Sequence, residues 1–491
     1  MKDCCSNENG AYDLIVVGAG SAGFSASITA AEAGKRVALV GHGTIGGTCV
    51  NFGCVPSKAM IRAAEALHGA RAAARFPGLS GAAQVDDWAR LVAGKDDLVA
   101  TLRQKKYADL LPNYEGVDYI EEGPATLVEG GVQIGDRTIT APKTLIATGS
   151  WSLVPAIRGI EDVEPLDSQS LLELETLPES LIFIGAGYIG AELAQMTARM
   201  GVKVTLVARS RLLPGAELEV SDALSEAFEA EGITLLTGLQ YDSVSKSEGG
   251  VTLRVTQEGA EKNVTAEQIV ITAGRQANTE DLGLKEAGVQ TDSRGGIVVG
   301  RDMQTSCPGI YAAGDVTDRD QFVYMAAYGA KIAARNAVAD AGEQYNNSTM
   351  PWVVFTDPQV AGVGLSEQQA RDAGHDVKTS VLPLDQVPRA QAARDTRGLI
   401  KLVADRETDR LLGGQIIAPE GSDTIQTLVM ALKAGMTTKA LGETIFPYLT
   451  TVEGLKRGLR LACRYPCVGL PERSGLPAAA SAEPAGHNVV R

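Results

Sequence analysis

Leu14-Ile15-Val16-Val17-Gly18-Ala19-Gly20-Ser21-Ala22-Gly23 is a run of β-prone apolar residues passing directly into G-x-G-x-x-G. The apolar run reads as a buried strand, and the alanine-rich stretch 24–33 reads as a helix. Glycines at 18, 20 and 23 allow a tight turn and close backbone approach to a pyrophosphate, which then rests on the helix N-terminus. Such a motif is weak by itself, but between a strand and a helix it specifies a dinucleotide-binding fold.

Outward from this motif, the next strand, 36–40, should end in an acid that holds ribose hydroxyls. Gly41 stands there instead, followed by His42. Either another group holds the ribose, or its hydroxyls bond to backbone and water. The pattern recurs at Leu181-Ile182-Phe183-Ile184-Gly185-Ala186-Gly187-Tyr188-Ile189-Gly190, with a helix expected through Met200. The following strand, 202–207, ends at Ala208-Arg209-Ser210-Arg211. An acid at that point would select NAD, whereas Arg209 and Arg211 can grip a 2′-phosphate, which favours NADP. The plainer alternative is that the arginines are solvated.

Between the two motifs lies Gly46-Gly47-Thr48-Cys49-Val50-Asn51-Phe52-Gly53-Cys54-Val55-Pro56-Ser57-Lys58. On one ideal helix, residues five apart diverge by roughly 140°. Gly53 and Pro56 are expected to bend the backbone so that the sulfurs meet. Two sulfurs beside a redox cofactor would cycle between disulfide and dithiol. A zinc site would need a second ligand cluster, and none follows at zinc-finger spacing, with the histidines scattered at 42, 68, 375 and 487.

The remaining chain frames these motifs. At 491 residues it should hold about three domains. Its net charge of −15 argues against a nucleic-acid partner. No apolar run is long enough for a membrane span, and residues 1–10 lack the basic and apolar regions of a signal peptide. Seven cysteines spread thinly fit a cytoplasmic enzyme better than a secreted disulfide framework. Residues 1–10 read as a flexible arm, where adjacent Cys4 and Cys5 either grip a soft metal ion or are incidental. Helices are expected over 58–75 and 86–111, and a small antiparallel sheet over 117–146. Leu145-Ile146-Ala147-Thr148-Gly149 and Gly309-Ile310-Tyr311-Ala312-Ala313-Gly314-Asp315 each run as a strand into a glycine turn. From about residue 351, strand and helix patterns alternate without a glycine fingerprint, as in an α+β domain. Beyond Pro471 the chain is rich in Pro, Ala and Ser and is expected to be disordered.

Together, the two glycine fingerprints, the Cys-x4-Cys pair and the Ala-Ala-Gly-Asp turn resemble the flavin-dependent pyridine nucleotide–disulfide oxidoreductases over residues 11–460. The resemblance implies an α/β fold with two Rossmann-like dinucleotide-binding domains, for FAD and NADPH, and an α+β C-terminal dimerisation domain that builds a homodimer with shared active sites. The FAD domain would comprise 11–150 and 275–345, the NAD(P)H domain 151–274, the dimerisation domain 346–470 and the tail 471–491. Gly18, Gly20, Gly23, Gly47, Thr48, Lys58, Thr148, Gly149 and Asp315 are then the FAD-side candidates. Gly185, Gly187, Gly190, Arg209, Arg211 and Arg275 complete the cofactor-binding set. Cys54 would lie nearer the flavin and Cys49 would exchange thiols, with Lys58 paired to Glu192 beside the flavin.

Members that cleave organic disulfides carry a His-Pro motif near the C-terminus, and its histidine protonates the leaving thiolate. Phe446 precedes Pro447 here. That run, Phe446-Pro447-Tyr448-Leu449-Thr450, together with Gly46-Gly47-Thr48-Cys49-Val50-Asn51 and Phe355-Thr356-Asp357-Pro358-Gln359-Val360-Ala361, resembles the mercuric reductase branch of the family. A soft metal ion needs thiolates and electrons but no proton for a leaving group. Tyr188 would line the nicotinamide side and Tyr448 the metal site. That branch ends in a vicinal cysteine pair that delivers the ion to the partner's site. This chain has Cys463 and Cys467 instead, placed earlier, and continues to Arg491. They would join Cys49 and Cys54 as metal ligands, serve as a further redox station, or be idle. The branch's N-terminal metal-binding domain is also missing from the pattern. The expected activity is NADPH-driven reduction of Hg(II) to Hg(0). The alternatives are a reductase or oxidase of a small disulfide or dithiol working through Cys463 and Cys467, and a soft-metal binding protein.

Overall fold

In the first unit, β1 (Leu14–Val17) and β2 (Val37–Val40) are buried at every position. A strand covered on both faces belongs in the middle of a parallel sheet. The computed structural model, which describes residues 12–464 with side chains through 460, shows that sheet. Its order is Ile310–Ala312, Thr144–Ile146, β1, β2 and β3 (Val117–Ile120), all parallel. Alternate residues face opposite layers. Leu14, Val16 and Leu39 pack under α1 (Ser21–Glu32) and the Val323–Ala339 helix. Ile15, Val17, Ala38 and Val40 face a three-stranded antiparallel sheet made of Ala125–Val128, Gly131–Ile134 and Arg137–Thr140.

This corrects the expected single antiparallel sheet over 117–146. Only its middle is antiparallel, and its first and last strands join the parallel sheet. Strands of three or four residues look alike in either setting, and their partners decide which they enter.

Ser150–Ser152 and Arg275–Ala277 pair antiparallel and bracket the second unit. That unit has its own parallel sheet, ordered Thr234–Leu236, Lys203–Val207, Ser180–Ile184 and Gln268–Ile271. The Tyr188–Arg199 and Leu218–Ala230 helices cover one face, and the meander Leu239–Ser247, Gly250–Gln257 and Ala260–Ala266 covers the other.

The third unit is a five-stranded antiparallel sheet ordered Trp352–Val354, Gln359–Gly364, Leu411–Ala418, Leu399–Asp405 and Val377–Pro383. The Gly421–Lys433 and Glu453–Arg464 helices pack on it through Ile425, Leu428, Leu455 and Leu459. Two ionic clusters tie it to the second unit. Lys401, 3% exposed, meets Glu217, Glu219 and Glu367, and Arg199 joins Glu231 to Asp357. Buried charges persist only when matched in this way. Among the described residues, no helix is long and apolar enough to cross a membrane.

Candidate active site

The cysteines sit at a break between two helices, α2 (Gly47–Asn51) and α3 (Cys54–Arg71). The Thr48 carbonyl accepts from Phe52 and Gly53 amides, which closes α2, and α3 starts at Cys54 itself. The helix expected from residue 58 therefore begins four residues earlier. Gly53 lies in the break, but Pro56 lies in the first turn of α3, where its missing N–H costs nothing. Gly47, at φ +66°, packs so tightly that a Cβ there would stand 2.7 Å from Gly20 Cα. The cysteine turn thus rests directly on the first glycine loop. Asn51, 7% exposed, donates from Nδ2 to the carbonyls of Ile45 and Gly47, both at 2.9 Å, and accepts from Arg103 at 3.2 Å.

Both thiols are free and half-buried. The Cys49 S–H donates to Cys54, and with the Lys58 cation this lowers Cys54 to a pKa of about 7 against burial and the Glu192 charge. Cys54 is also the first residue of α3, where the helix dipole favours a thiolate. Cys49, as donor, is pushed well above the usual thiol range by that bond and by burial. Lys58, one turn along α3, has Nζ 2.6 Å from Glu192 Oε2 and 5.1 Å from the Phe355 ring centre. The other Glu192 oxygen accepts from the Phe355 amide at 2.9 Å. Tyr188 stacks on Trp352 with ring centres 5.6 Å apart, and burial raises its hydroxyl to about 12, so it stays protonated.

The glycine loops fit dinucleotides. A Cβ on Gly18 would lie 2.3 Å from Ala147 O, and one on Gly23 would lie 1.8 Å from Gly18 O. Gly185 and Gly190 are closed in the same way, by Thr272 O at 2.4 Å and Gly185 O at 2.0 Å. By contrast a Cβ on Gly187 meets nothing within 4 Å. The helices that follow carry no side-chain cap at Gly20 or Gly187, so their first amides are open to an anion. Asp315 accepts from Ser150 Oγ at 2.7 Å and lies 3.8 Å from Arg275. Thr148 donates to Asn278 O at 2.7 Å, and Asn278 N returns a bond to Gly149 O at 2.9 Å.

A family model described as pyridine nucleotide-disulphide oxidoreductase matches residues 12–334, and that of the family's dimerisation domain matches 350–458. The chain belongs to the pyridine nucleotide-disulphide oxidoreductases. A mercuric reductase of Staphylococcus aureus is 44% identical over 451 residues, covering 92% of this chain and 82% of that protein. One from Streptomyces lividans is 43% identical, covering 91% and 95%. The HOCl-induced flavoprotein disulfide reductase RclA of Escherichia coli, solved as a Cu(II) complex, superposes with a TM-score of 0.80 at 30% identity, covering 92% of this chain and 99% of RclA. This oxidoreductase is thus an NADPH-dependent flavoprotein reductase that works with FAD.

The other expected site residues of the oxidoreductase differ in their surroundings. Arg209 is exposed beyond the strand end. Arg211 folds back, donating to Pro214 O at 3.0 Å and Ala216 O at 2.5 Å, and so braces its own loop. Arg275 is engaged by Ser150, donating to its Oγ at 2.7 Å and its carbonyl at 2.5 Å. Tyr448 is 71% exposed beside Ile445, at 93%, while Phe446 packs on the third core. Among the described residues, no hydrogen bond, ion pair or ring contact joins Tyr448 to the thiols of its own chain. Cys463 lies in the last turn of the Glu453–Arg464 helix. Its side chain, with Cys467, Cys4 and Cys5, lies outside the described residues. Also among the described residues, no group of three or more His, Cys, Asp or Glu is arranged to hold a metal ion.

Sequence reasoning did not assign Asn51, Arg103, Trp352 or Phe355. Asn51 and Phe355 lie inside quoted motifs, which was the available signal. Arg103 and Trp352 act only through contacts between distant segments.

Proposed function

We propose that this chain reduces Hg(II) to Hg(0) with NADPH, in the cytoplasm, as a homodimer whose sites are shared between subunits. The observation that carries this reading is a pair of free, half-buried thiols with no histidine beside them among the described residues. Cys54 is half-ionised near pH 7, and Cys49 holds the bridging proton. Of the described histidines, His68 faces Glu231 and His375 bonds Asp405 at 2.9 Å, while His42 is exposed past β2. Phe446, on a segment the resemblance places across the dimer, has no proton to give. Cleaving an organic disulfide without acid–base help forfeits on the order of 10²–10⁴ in rate.

A soft cation does not need that help. Capture forms two S–Hg bonds and expels the Cys49 proton, with Cys54 already a thiolate above its pKa. Reduction is balanced by NADPH giving NADP⁺, H⁺ and two electrons, and Hg(II) taking those two. FAD and NADPH, when bound, would supply that electron pair at the sulfur turn, the nicotinamide as hydride and the flavin as relay. The glycine loops, Gly47, Thr48, Thr148, Gly149 and Asp315 would hold the first dinucleotide, and Gly185, Gly187, Gly190 and Arg209 the second. Lys58 would keep Cys54 anionic, and Glu192 would fix Lys58. Tyr188 would shield the nicotinamide side, and Tyr448 would reach the partner's metal. Cys463 and Cys467 would deliver the ion. The topology supports a domain division at 11–150 with 275–345, 151–274 and 346–470.

A second reading, reduction of a small disulfide, draws on the likeness to RclA. NADPH oxidation measured against Hg(II), lipoamide and glutathione disulfide separates the two. Mercury-dependent turnover is expected, and turnover with a disulfide alone would overturn the proposal. Replacing Cys463 and Cys467 with serine should slow Hg(II) turnover while leaving FAD content unchanged.

A further inference from the structure

The strand-end position that ordinarily carries a ribose-binding acid is Gly41, and the structure shows what fills its place. Gly18 N donates to Val40 O at 2.8 Å, so the end of β2 adjoins the first glycine loop, and Gly41 N donates to Ile120 O at 2.9 Å. In the parallel register Leu39 lies opposite Tyr119 on β3. A Cβ built on Gly41 would stand 2.5 Å from Tyr119 Oη, 2.7 Å from Cε2 and 2.9 Å from Cζ. The phenol therefore occupies the space in which a side chain at 41 would begin. A side chain at 41 therefore requires the Tyr119 phenol to move aside.

The Tyr119 hydroxyl is buried and, among the described residues, has no hydrogen-bond partner. A buried polar atom is costly to leave unpaired, and its presence beside a ligand site signals a partner supplied by the ligand. Burial, then the Glu121 charge, raises the phenol above its ordinary range, so it is a protonated donor at neutral pH.

We infer that Tyr119 supplies the hydrogen bond to the adenosine ribose of FAD that a carboxylate at position 41 would otherwise give. The ring is only half-buried, and no side chain at 41 blocks a small tilt of its tip toward the ribose. The inference rests on FAD occupying the first glycine loop. It resolves the departure at Gly41 in favour of a protein group over backbone and water.

Binding of FAD to apoprotein, followed by flavin fluorescence, tests it. Tyr119→Phe should raise the FAD dissociation constant about five- to tenfold, the worth of one hydrogen bond. The apoprotein's melting temperature should hold or rise, because the partnerless hydroxyl is gone. An FAD analogue lacking both adenosine ribose hydroxyls should bind wild type and Tyr119→Phe alike. The double variant Gly41→Glu with Tyr119→Ala should regain most of the wild-type affinity, whereas Gly41→Glu alone should not. Unchanged FAD affinity in Tyr119→Phe would overturn the inference. Failure of the wild-type apoprotein to bind FAD would overturn the FAD assignment and this inference together.

Discussion

Lys58 Nζ and Glu192 Oε2 meet at 2.6 Å across the boundary between the first and second units. Lys58 lies one turn beyond Cys54 on α3, and Glu192 lies one turn beyond Tyr188 on its own helix. The carboxylate is 6% exposed, and its second oxygen is held by the Phe355 amide from the third unit. One ion pair therefore couples the thiol turn to both other parts of the chain.

Charge changes at this pair should register at sulfur. Glu192 opposes ionisation of Cys54 and Lys58 favours it. Glu192→Gln should therefore move the Cys54 midpoint below about 7, and Lys58→Met should move it upward. The pH dependence of iodoacetamide alkylation of the reduced protein reads both. If neither variant shifts the midpoint, the electrostatic role is wrong.

The lowered Cys54 pKa sets a pH window. A thiol whose pKa is depressed to about 7 is ionised above that value and loses its thiolate as pH falls through it. At pH 6 about a tenth of the thiolate should remain, so capture of a soft cation should slow roughly tenfold relative to pH 8. Cys49→Ala removes the S–H donor and should return the Cys54 midpoint toward ordinary thiols. Stopped-flow binding across pH checks the first point, and alkylation checks the second.

The second glycine loop separates folding from binding. Gly187→Ala puts a methyl into open space, so the melting temperature should hold while NADPH binding weakens by on the order of tenfold, the cost of a methyl in a filled phosphate site. Gly185→Ala meets Thr272 O at 2.4 Å with φ at +108° and should destabilise the protein itself. Melting curves and NADPH titrations on both variants distinguish these outcomes. Equal melting losses would show that Gly187 has no free space.

The two arginines of the second unit should behave differently. Arg209 is exposed, whereas Arg211 is bonded to its own loop carbonyls. Arg209→Ala should raise KM for NADPH several-fold and leave NADH nearly unaffected. Arg211→Ala should lower the melting temperature and weaken both nucleotides together. A variant at 209 that treats NADPH and NADH identically would remove the argument for a 2′-phosphate contact.

Much of this was legible because glycine and cysteine constrain the backbone locally. The two fingerprints specified strand, turn and helix over a dozen residues each, and both glycine loops stand where they were read. Features made by long-range register were not legible. Gly41 was visible as a departure, but only the pairing of β2 with β3 shows Tyr119 standing over it. The Arg103–Asn51 bond spans two helices, and the Trp352–Tyr188 stack joins the second unit to the third. The bonds from Arg211 to carbonyls three and five residues ahead were not legible either, because spacing says nothing about them.

The first sheet is finished by a strand that the ribosome makes late. Ile310–Ala312 pairs with Thr144–Ile146 only after the entire second unit has been synthesised, and the paired segments Ser150–Ser152 and Arg275–Ala277 bring the ends of that unit together. During translation the second unit has all its strands first, and by folding early it shortens the loop the first unit must close. We predict that a chain truncated after residue 300 resists protease across 180–272 while 12–146 is still cut. Equal protection of both stretches at that length would contradict it. The electron donor's fold would then be complete before that of the relay it serves.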